Sequence, residues 1–315
     1  MTAVVVEGLR KRYGAVDAVR GVSFSVEEGE VFALLGPNGA GKTTTVEILE
    51  GFRPHDGGRV EVLGYDPGNR STRRGLRERM GIVLQELAVE PTLSVREVLT
   101  RNAGYYPAPR GVGEVIELVG LGEKANARIK TLSGGQQRRL DLGLGIIGDP
   151  DILFLDEPTT GFDPSARRAA WDLVKALTGA GTTVILTTHY MDEAEALADR
   201  VAIIARGEIV ATGTPDSLGG RDAGDVEIRF HLPAAIAAAD LPVPVESVDG
   251  TLVKIKTDQE VQVLHKLTGW AIRRKVVLTG LAVERLSLED VYLRLVGDPG
   301  GAAEVAAEPR VKAVS

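Results

Sequence analysis

No cysteine occurs in the 315 residues, which removes disulfides, thiolate nucleophiles and cysteine-ligated metals together and suits a reducing compartment. Long apolar runs are missing as well. No stretch approaches the ~18–20 uninterrupted apolar residues that a membrane helix needs. The opening MTAVVVEGLRKRYG lacks the charged, apolar and small-residue order of a signal peptide. A soluble chain is expected, with any membrane role supplied by a partner. Positive charge is in short supply, the net charge being −7, so binding of nucleic acid over the whole surface is not expected. The one basic cluster, Arg70, Arg73, Arg74, Arg77 and Arg79, is interrupted by Gly75 and Glu78 and reads as a solvated helix face. Internal repeats are also lacking. What remains is 43% hydrophobic, 26% charged and rich in glycine (38), the composition of a folded chain long enough for one large domain and a smaller one.

Along residues 1–219, short apolar runs alternate with helical patterns, as in an α/β core. Strands are expected at Ala3–Val6 (an edge strand), Val22–Val26, Val31–Leu35, Val60–Leu63, Ile82–Leu84, Ile152–Leu155, Val184–Thr187, Val201–Ala205 and Ile209–Ala211. Between about 86 and 148 the periodicity turns helical (Val95–Leu99, Val115–Val119, Leu140–Ile147), which predicts a helical subdomain inserted in the sheet domain. Ser94 with Glu97 predicts a capping box at its first helix. Residues 220–297 read as a small α+β domain. Its expected strands are Asp225–Phe230, Thr251–Lys256 and Arg274–Leu278, with a helix at Glu260–Leu267 and a last one, Leu288–Leu295, capped by Ser287. Residues 298–315 carry no periodicity and are expected to be a disordered tail.

GPNGAGKT follows a strand and opens a helix, the context that a phosphate-binding loop requires. Gly36, Gly39 and Gly41, interleaved with Pro37, Asn38 and Ala40, let backbone N–H groups converge on phosphate oxygens. Lys42 offers a point charge to the β- and γ-phosphates, the Thr43 hydroxyl can coordinate Mg²⁺, and Thr44 continues the helix start. The loop alone says only "nucleotide".

Ile152–Leu155 is an apolar strand that ends in Asp156 and Glu157, delivering both carboxylates to the sheet edge where the loop lies. Asp156 is the candidate holder of Mg²⁺ and Glu157 the candidate group that polarises the attacking water. A second apolar strand ends in Thr187-Thr188-His189 and marks His189 as a further site residue. His55, His231 and His265 lack such a context, and Asp192, Glu193 and Glu195 read as the solvated face of the next helix.

Leu132-Ser133-Gly134-Gly135-Gln136 lies shortly before the acidic strand, and the run LSGGQQRRLDLGLGIIGDPDILFLDEPTTGFDP resembles the ABC ATPase family. The resemblance covers about residues 3–218. It implies a P-loop NTPase core of ABC type that binds and hydrolyses ATP with Mg²⁺. It implies that Tyr13 stacks on adenine and that Gln85 links Mg²⁺ to the helical subdomain. Ser133, Gly134, Gly135 and Gln136 then form the signature that closes on the partner's nucleotide, Asp163 contacts the opposite subunit, and His189 senses the γ-phosphate. One loop and one signature make half of a sandwich, so a second copy of the subunit is implied. Phe162 stands where the family more often has Leu, and the stretch between Glu97 and Leu118 is shorter than in relatives by about two to three helical turns.

Leu286-Ser287-Leu288-Glu289-Asp290-Val291-Tyr292, together with RRLDLGL and TTHYMDEAE, is similar to the daunorubicin-resistance-type exporter ATPases. That implies export of a drug, lipid or related amphipathic molecule through a separately encoded permease. The subunit would then sit in the cytoplasm, peripheral on the membrane. Another ABC transporter class remains an alternative, as do a soluble non-transport ABC ATPase and a nucleotide-binding regulator. The missing second cassette and missing coiled-coil insertion weigh against the non-transport class, and Glu157 with His189 weighs against a regulator without turnover.

Overall fold

The computed structural model describes residues 1–83, 89–218, 226–233, 236–285 and 288–296. Strands β1 (Thr2–Tyr13), β2 (Val16–Glu27) and β3 (Val31–Leu35) lead into helix α1 (Lys42–Leu49). Then come β4 (Gly57–Val62), α2 (Arg73–Glu78) and β5 (Met80–Val83). Three helices follow, α3 (Val95–Ala103), α4 (Val112–Leu118) and α5 (Gly134–Ile146), with no strand among the described residues between Val83 and Ile152. The chain returns to the sheet through β6 (Ile152–Asp156), α6 (Pro164–Gly179), β7 (Thr183–Thr188), α7 (Met191–Leu197), β8 (Arg200–Ala205) and β9 (Glu208–Gly213). A last unit holds β10 (Val226–His231), β11 (Ser247–Asp249), β12 (Leu252–Thr257), α8 (Glu260–Arg274), β13 (Thr279–Arg285) and α9 (Leu288–Val296).

The main sheet runs β5-β6-β7-β3-β8-β9, parallel except for the β8–β9 pair. Strand β3 is apolar at every position because both its faces are covered. The two-residue period of a strand sorts the side chains into two cores. Val31, Ala33, Leu35, Leu153, Leu155, Val184 and Leu186 pack on the side of α3–α7. Phe32, Leu34, Phe154, Ile185 and Ile204 face the other way, against α1 and a three-stranded antiparallel sheet of order β2-β1-β4. Each fully buried side chain of this size contributes ~1.5–3 kcal/mol over leaving it in water. Phe24 stacks on Phe32 at 5.0 Å between ring centroids, joining the two sheets.

Three expectations are corrected. The segment around Ala3–Val6 is not an edge strand: β1 extends to Tyr13 and lies between β2 and β4, pairing with both. The expected strand Arg274–Leu278 is not one. Helix α8 runs on to Arg274 and is stopped by Lys275 in the left-handed conformation (φ 56°), and the strand begins at Thr279. Nor do Asp192, Glu193 and Glu195 form one solvated face. Glu193 is buried, and Glu195 Oε1 accepts a hydrogen bond from the Leu288 amide at 3.0 Å. The Ser94/Glu97 capping box is present at α3. The expected cap Ser287, the boundary at Gly219–Gly220 and the tail 298–315 lie outside the described residues.

The C-terminal unit has its own core around Phe230, Ile255, Leu267 and Trp270, under a sheet of order β11-β12-β10-β13. It is nonetheless tied to the main body at both ends, since Leu218 and Leu288 belong to the same apolar cluster as Ala194 and Leu197.

Candidate nucleotide site

Strands β6, β7 and β3 are neighbours, so the loop after β3 and the residues ending β6 and β7 meet at one sheet edge. The loop is glycine-bound by necessity. A Cβ on Gly36 would lie 2.3 Å from the Ile204 carbonyl oxygen, and one on Gly41 (φ +106°) 2.5 Å from that of Ala18. The loop curls around Lys42, which is 6% exposed. Its Nζ donates to the Gly36 carbonyl at 2.6 Å and the Pro37 carbonyl at 3.2 Å. Burial holds the ammonium below its ordinary pKa, against the opposing pull of Glu157 and Asp156. Among the described residues no side chain caps α1, whereas Ser94, Ser133 and Asp163 cap α3, α5 and α6. The first amides of α1 are thereby left for an anion. Thr43 is exposed there, while Thr45 is committed to the Gly41 carbonyl at 2.8 Å.

Asp156 ends β6 and accepts a short hydrogen bond from the buried Thr187 hydroxyl of β7. Burial pushes its pKa up, the Thr187 bond opposing and the Glu157 charge adding to the rise. Glu157 leaves the strand with a positive φ of 47°, a conformation costing a non-glycine residue ~1–2 kcal/mol. Its amide donates to the Thr187 carbonyl at 3.0 Å. Its Oε1 lies 3.0 Å from His189 Nδ1, and Thr160 Oγ1 donates to Oε2 at 3.4 Å. The ring of His189 packs on Tyr190, 4.1 Å between centroids.

Lys42, Asp156, Glu157 and His189 thus share one site. Tyr13, at the end of β1, is 39% exposed, with the cations of Lys11 and Arg53 lying 5.5 and 5.6 Å from the centre of its ring. Gln85 lies outside the described residues. Ser133, Gly134, Gly135 and Gln136 start α5, and among the described residues the hydrogen bonds of Ser133 run to Gln136 and Gln137 rather than to the loop. Asp163 caps α6 through bonds of 2.9 Å from the Ser165 and Ala166 amides, with Phe162 anchored in the core before it. Arg70, Arg74, Arg77 and Arg79 are exposed and Arg73 is half-buried, as expected of a solvated face. Arg74 pairs with Glu78 at 2.9 Å, and Arg70, Arg73, Arg74 and Arg77 border an open groove with Glu78, Tyr105 and Tyr106.

Several groups around the site have no role assigned from the sequence alone, although Arg138 and Asp141 lie in the RRLDLGL run and Glu193 in TTHYMDEAE. Arg138 of α5 reaches the end of β6: its Nη2 donates to the carbonyls of Asp156 (2.8 Å) and Glu157 (2.9 Å), and its Nε to that of Pro158 (3.1 Å). Its Nη1 pairs with Asp141 at 2.9 Å. The available signal was an Arg/Asp pair at i, i+3 amid Leu140 and Leu142. Glu193 is fully buried and its Oε1 accepts from Thr159 (2.8 Å) and Trp171 (3.3 Å), burial pushing its pKa up. Glu50, at the end of α1, is 3% exposed. Burial first, then the charges of Asp156 and Glu47, push its pKa up to about 8.

The donor set suits Mg²⁺ held jointly with phosphate. Thr43 offers a hydroxyl and Asp156 a carboxylate, and among the described residues no cluster of three or more acidic, His or Cys groups forms a ready-made cage.

Comparison with known proteins shows the family and the fold. A family pattern described as ABC transporter matches residues 19–160, and one described as ABC transporter domain-containing protein-like, C-terminal domain, matches 226–287. The linearmycin resistance ATP-binding protein LnrL of Bacillus subtilis is 38% identical over 304 residues, covering 92% of this chain and 97% of LnrL. The daunorubicin resistance ATP-binding protein DrrA3 of Streptomyces coeruleorubidus is 36% identical over 315 residues, 97% of this chain and 99% of DrrA3. In fold, the chain is similar to a dimeric ATP-binding cassette solved in a post-hydrolysis state with ADP and Pi. The TM-score is 0.61 at 24% identity, covering 67% of this chain and 98% of that one.

Proposed function

This chain belongs to the ATP-binding proteins of ABC transporters, and from that premise we propose that it is the ATP-hydrolysing subunit of an exporter for an antibiotic or related amphipathic molecule. The observation that carries the export reading is the extent of the likeness. Identity of 36–38% to two resistance ATP-binding proteins runs over 92–97% of the chain, through the C-terminal domain as well as the cassette. A cassette alone would support an ATPase and nothing narrower.

The side chains divide the work. The amides of the Gly36–Gly41 loop and α1 bind the phosphates, and Lys42 brings a cation to the β- and γ-phosphates. Thr43 and Asp156 would hold Mg²⁺, which supplies neutralisation of phosphate charge when bound. Glu157 takes a proton from the attacking water, and His189 holds the Glu157 carboxylate through the 3.0 Å contact. A carboxylate acceptor there requires the imidazole proton on Nδ1. Tyr13 offers a stacking face to the base. Gly134 and the following amides at the start of α5 face a second copy of the chain, so that each nucleotide lies between one loop and the other subunit's signature. Support for the pairing is the dimeric arrangement of the similar cassette. No helix among the described residues is long and apolar enough to cross a membrane. The membrane path is assigned, with the export reading, to a separately encoded permease.

The test is co-purification followed by transport. The tagged chain, extracted from native membranes in mild detergent, is expected to bring down a multi-span membrane protein. Vesicles holding both should move an amphipathic antibiotic in an ATP-dependent way. An active ATPase recovered wholly without a membrane partner would overturn the export reading while leaving the ATPase reading intact.

A further inference from the structure

Glu157 sits in a backbone conformation that non-glycine residues avoid, and such a conformation persists only where the surroundings over-determine it. The turn it creates aims three successive carbonyls, those of Asp156, Glu157 and Pro158, at one point. Arg138 occupies that point with bonds of 2.8, 2.9 and 3.1 Å. Its fourth direction is taken by Asp141, 2.9 Å away, and both side chains are only 10% exposed. The planar guanidinium fork reaches several acceptors at fixed angles, which an ammonium on a flexible stem does not.

We infer that Arg138, oriented by Asp141, is a positioning residue for ATP hydrolysis: it holds the left-handed turn that aims the Glu157 carboxylate. The inference rests on Glu157 being the group that activates water. It goes further in one respect. Arg138 lies on the helix whose first residues are Ser133–Gln136, little more than a turn away, so one rigid element carries both the signature offered to the second copy and the grip on this chain's own carboxylate. A displacement of α5 at one nucleotide is thereby transmitted to the carboxylate at the other.

Two variants of the full chain test this. Arg138→Lys keeps the charge beside Asp141 but loses the fork. Arg138→Gln/Asp141→Ala removes the pair together, so that neither member of it is left without the other. A misplacement on the order of 1 Å costs up to ~10²-fold in rate, so kcat for Mg-ATP should fall ~10–100-fold. KM and the affinity for ATP should stay within about twofold. Added to Glu157→Gln, the same changes should lower the residual rate little further, because the group they aim is already gone. Parental kcat in both variants overturns the inference. So does an equal fall in the Glu157→Gln background, or a loss confined to KM with melting temperature, which marks a merely structural role. Full turnover by Glu157→Gln alone sinks the base assignment first, a result distinguishable from any of these.

Discussion

His189 Nδ1 lies 3.0 Å from Glu157 Oε1, joining the residues that directly follow two adjacent parallel strands. The contact orients a carboxylate whose neighbour Asp156 is already engaged by Thr187. Replacing Glu157 by Gln preserves size and hydrogen bonding but removes the proton acceptor. Steady-state hydrolysis should fall ~10²–10⁴-fold while ATP binding persists. Hydrolysis near the parental rate would show that another group activates the water.

The glycines of the phosphate loop should not be equivalent. Gly36→Ala drives a methyl group to 2.3 Å from the Ile204 carbonyl, so backbone must move and nucleotide affinity should be lost with stability. At Gly39 nothing lies within 4 Å, and only its φ of +78° resists a side chain. Gly39→Ala should therefore cost ~1–2 kcal/mol and retain binding. Thermal melts and titration with a fluorescent ATP analogue separate the two. Equal damage at both positions would contradict the packing described here.

Glu50 predicts a pH dependence with a definite sign. Its folded pKa of about 8 lies above the ordinary 4.5, so the folded chain holds a proton that the unfolded chain has given up. Stability from this group is fully present below about 4.5 and is lost as the pH climbs to about 8. Glu50→Gln should remove that slope and melt higher than the parent at the alkaline end. Parallel melting curves across the window would rule this out.

A shared site makes a further prediction. Ser133→Arg leaves a sound loop and a ruined signature, and Lys42→Ala the reverse. Each alone should be nearly inactive, whereas mixing them creates some dimers with one undamaged site and should restore part of the hydrolysis. The parent's specific activity should rise with protein concentration. Full turnover by a monomeric Ser133→Arg chain would refute the sandwich.

Much of this was legible in the sequence because its determinants are local. The uninterrupted apolar Val31–Leu35 reads as a strand from its composition alone, and glycine spacing with Lys42 marks the loop that follows it. The misreadings share a cause: they concern residues whose surroundings come from far along the chain. Glu193 reads as a surface acid until Thr159 and Trp171 close over it. Arg138 has no role in the sequence reading, because the carbonyls it holds belong to the end of β6, distant along the chain. The error at Arg274–Leu278 differs, for the three apolar residues there were weighted over the left-handed stop at Lys275, which propensity does not announce.

The two ends of the C-terminal domain, Leu218 and Leu288, are sewn into one apolar cluster, and the Leu288 amide is fastened to Glu195 on the helix just beyond His189. Mechanically the domain is a bight made fast at both ends, not a pendant on a tether. Severing the peptide chain between β10 and β12 would leave both fragments moored. Strain on the bight would be borne by α7, beside the strand that presents His189, so whatever loads this domain has a short lever on the hydrolytic site.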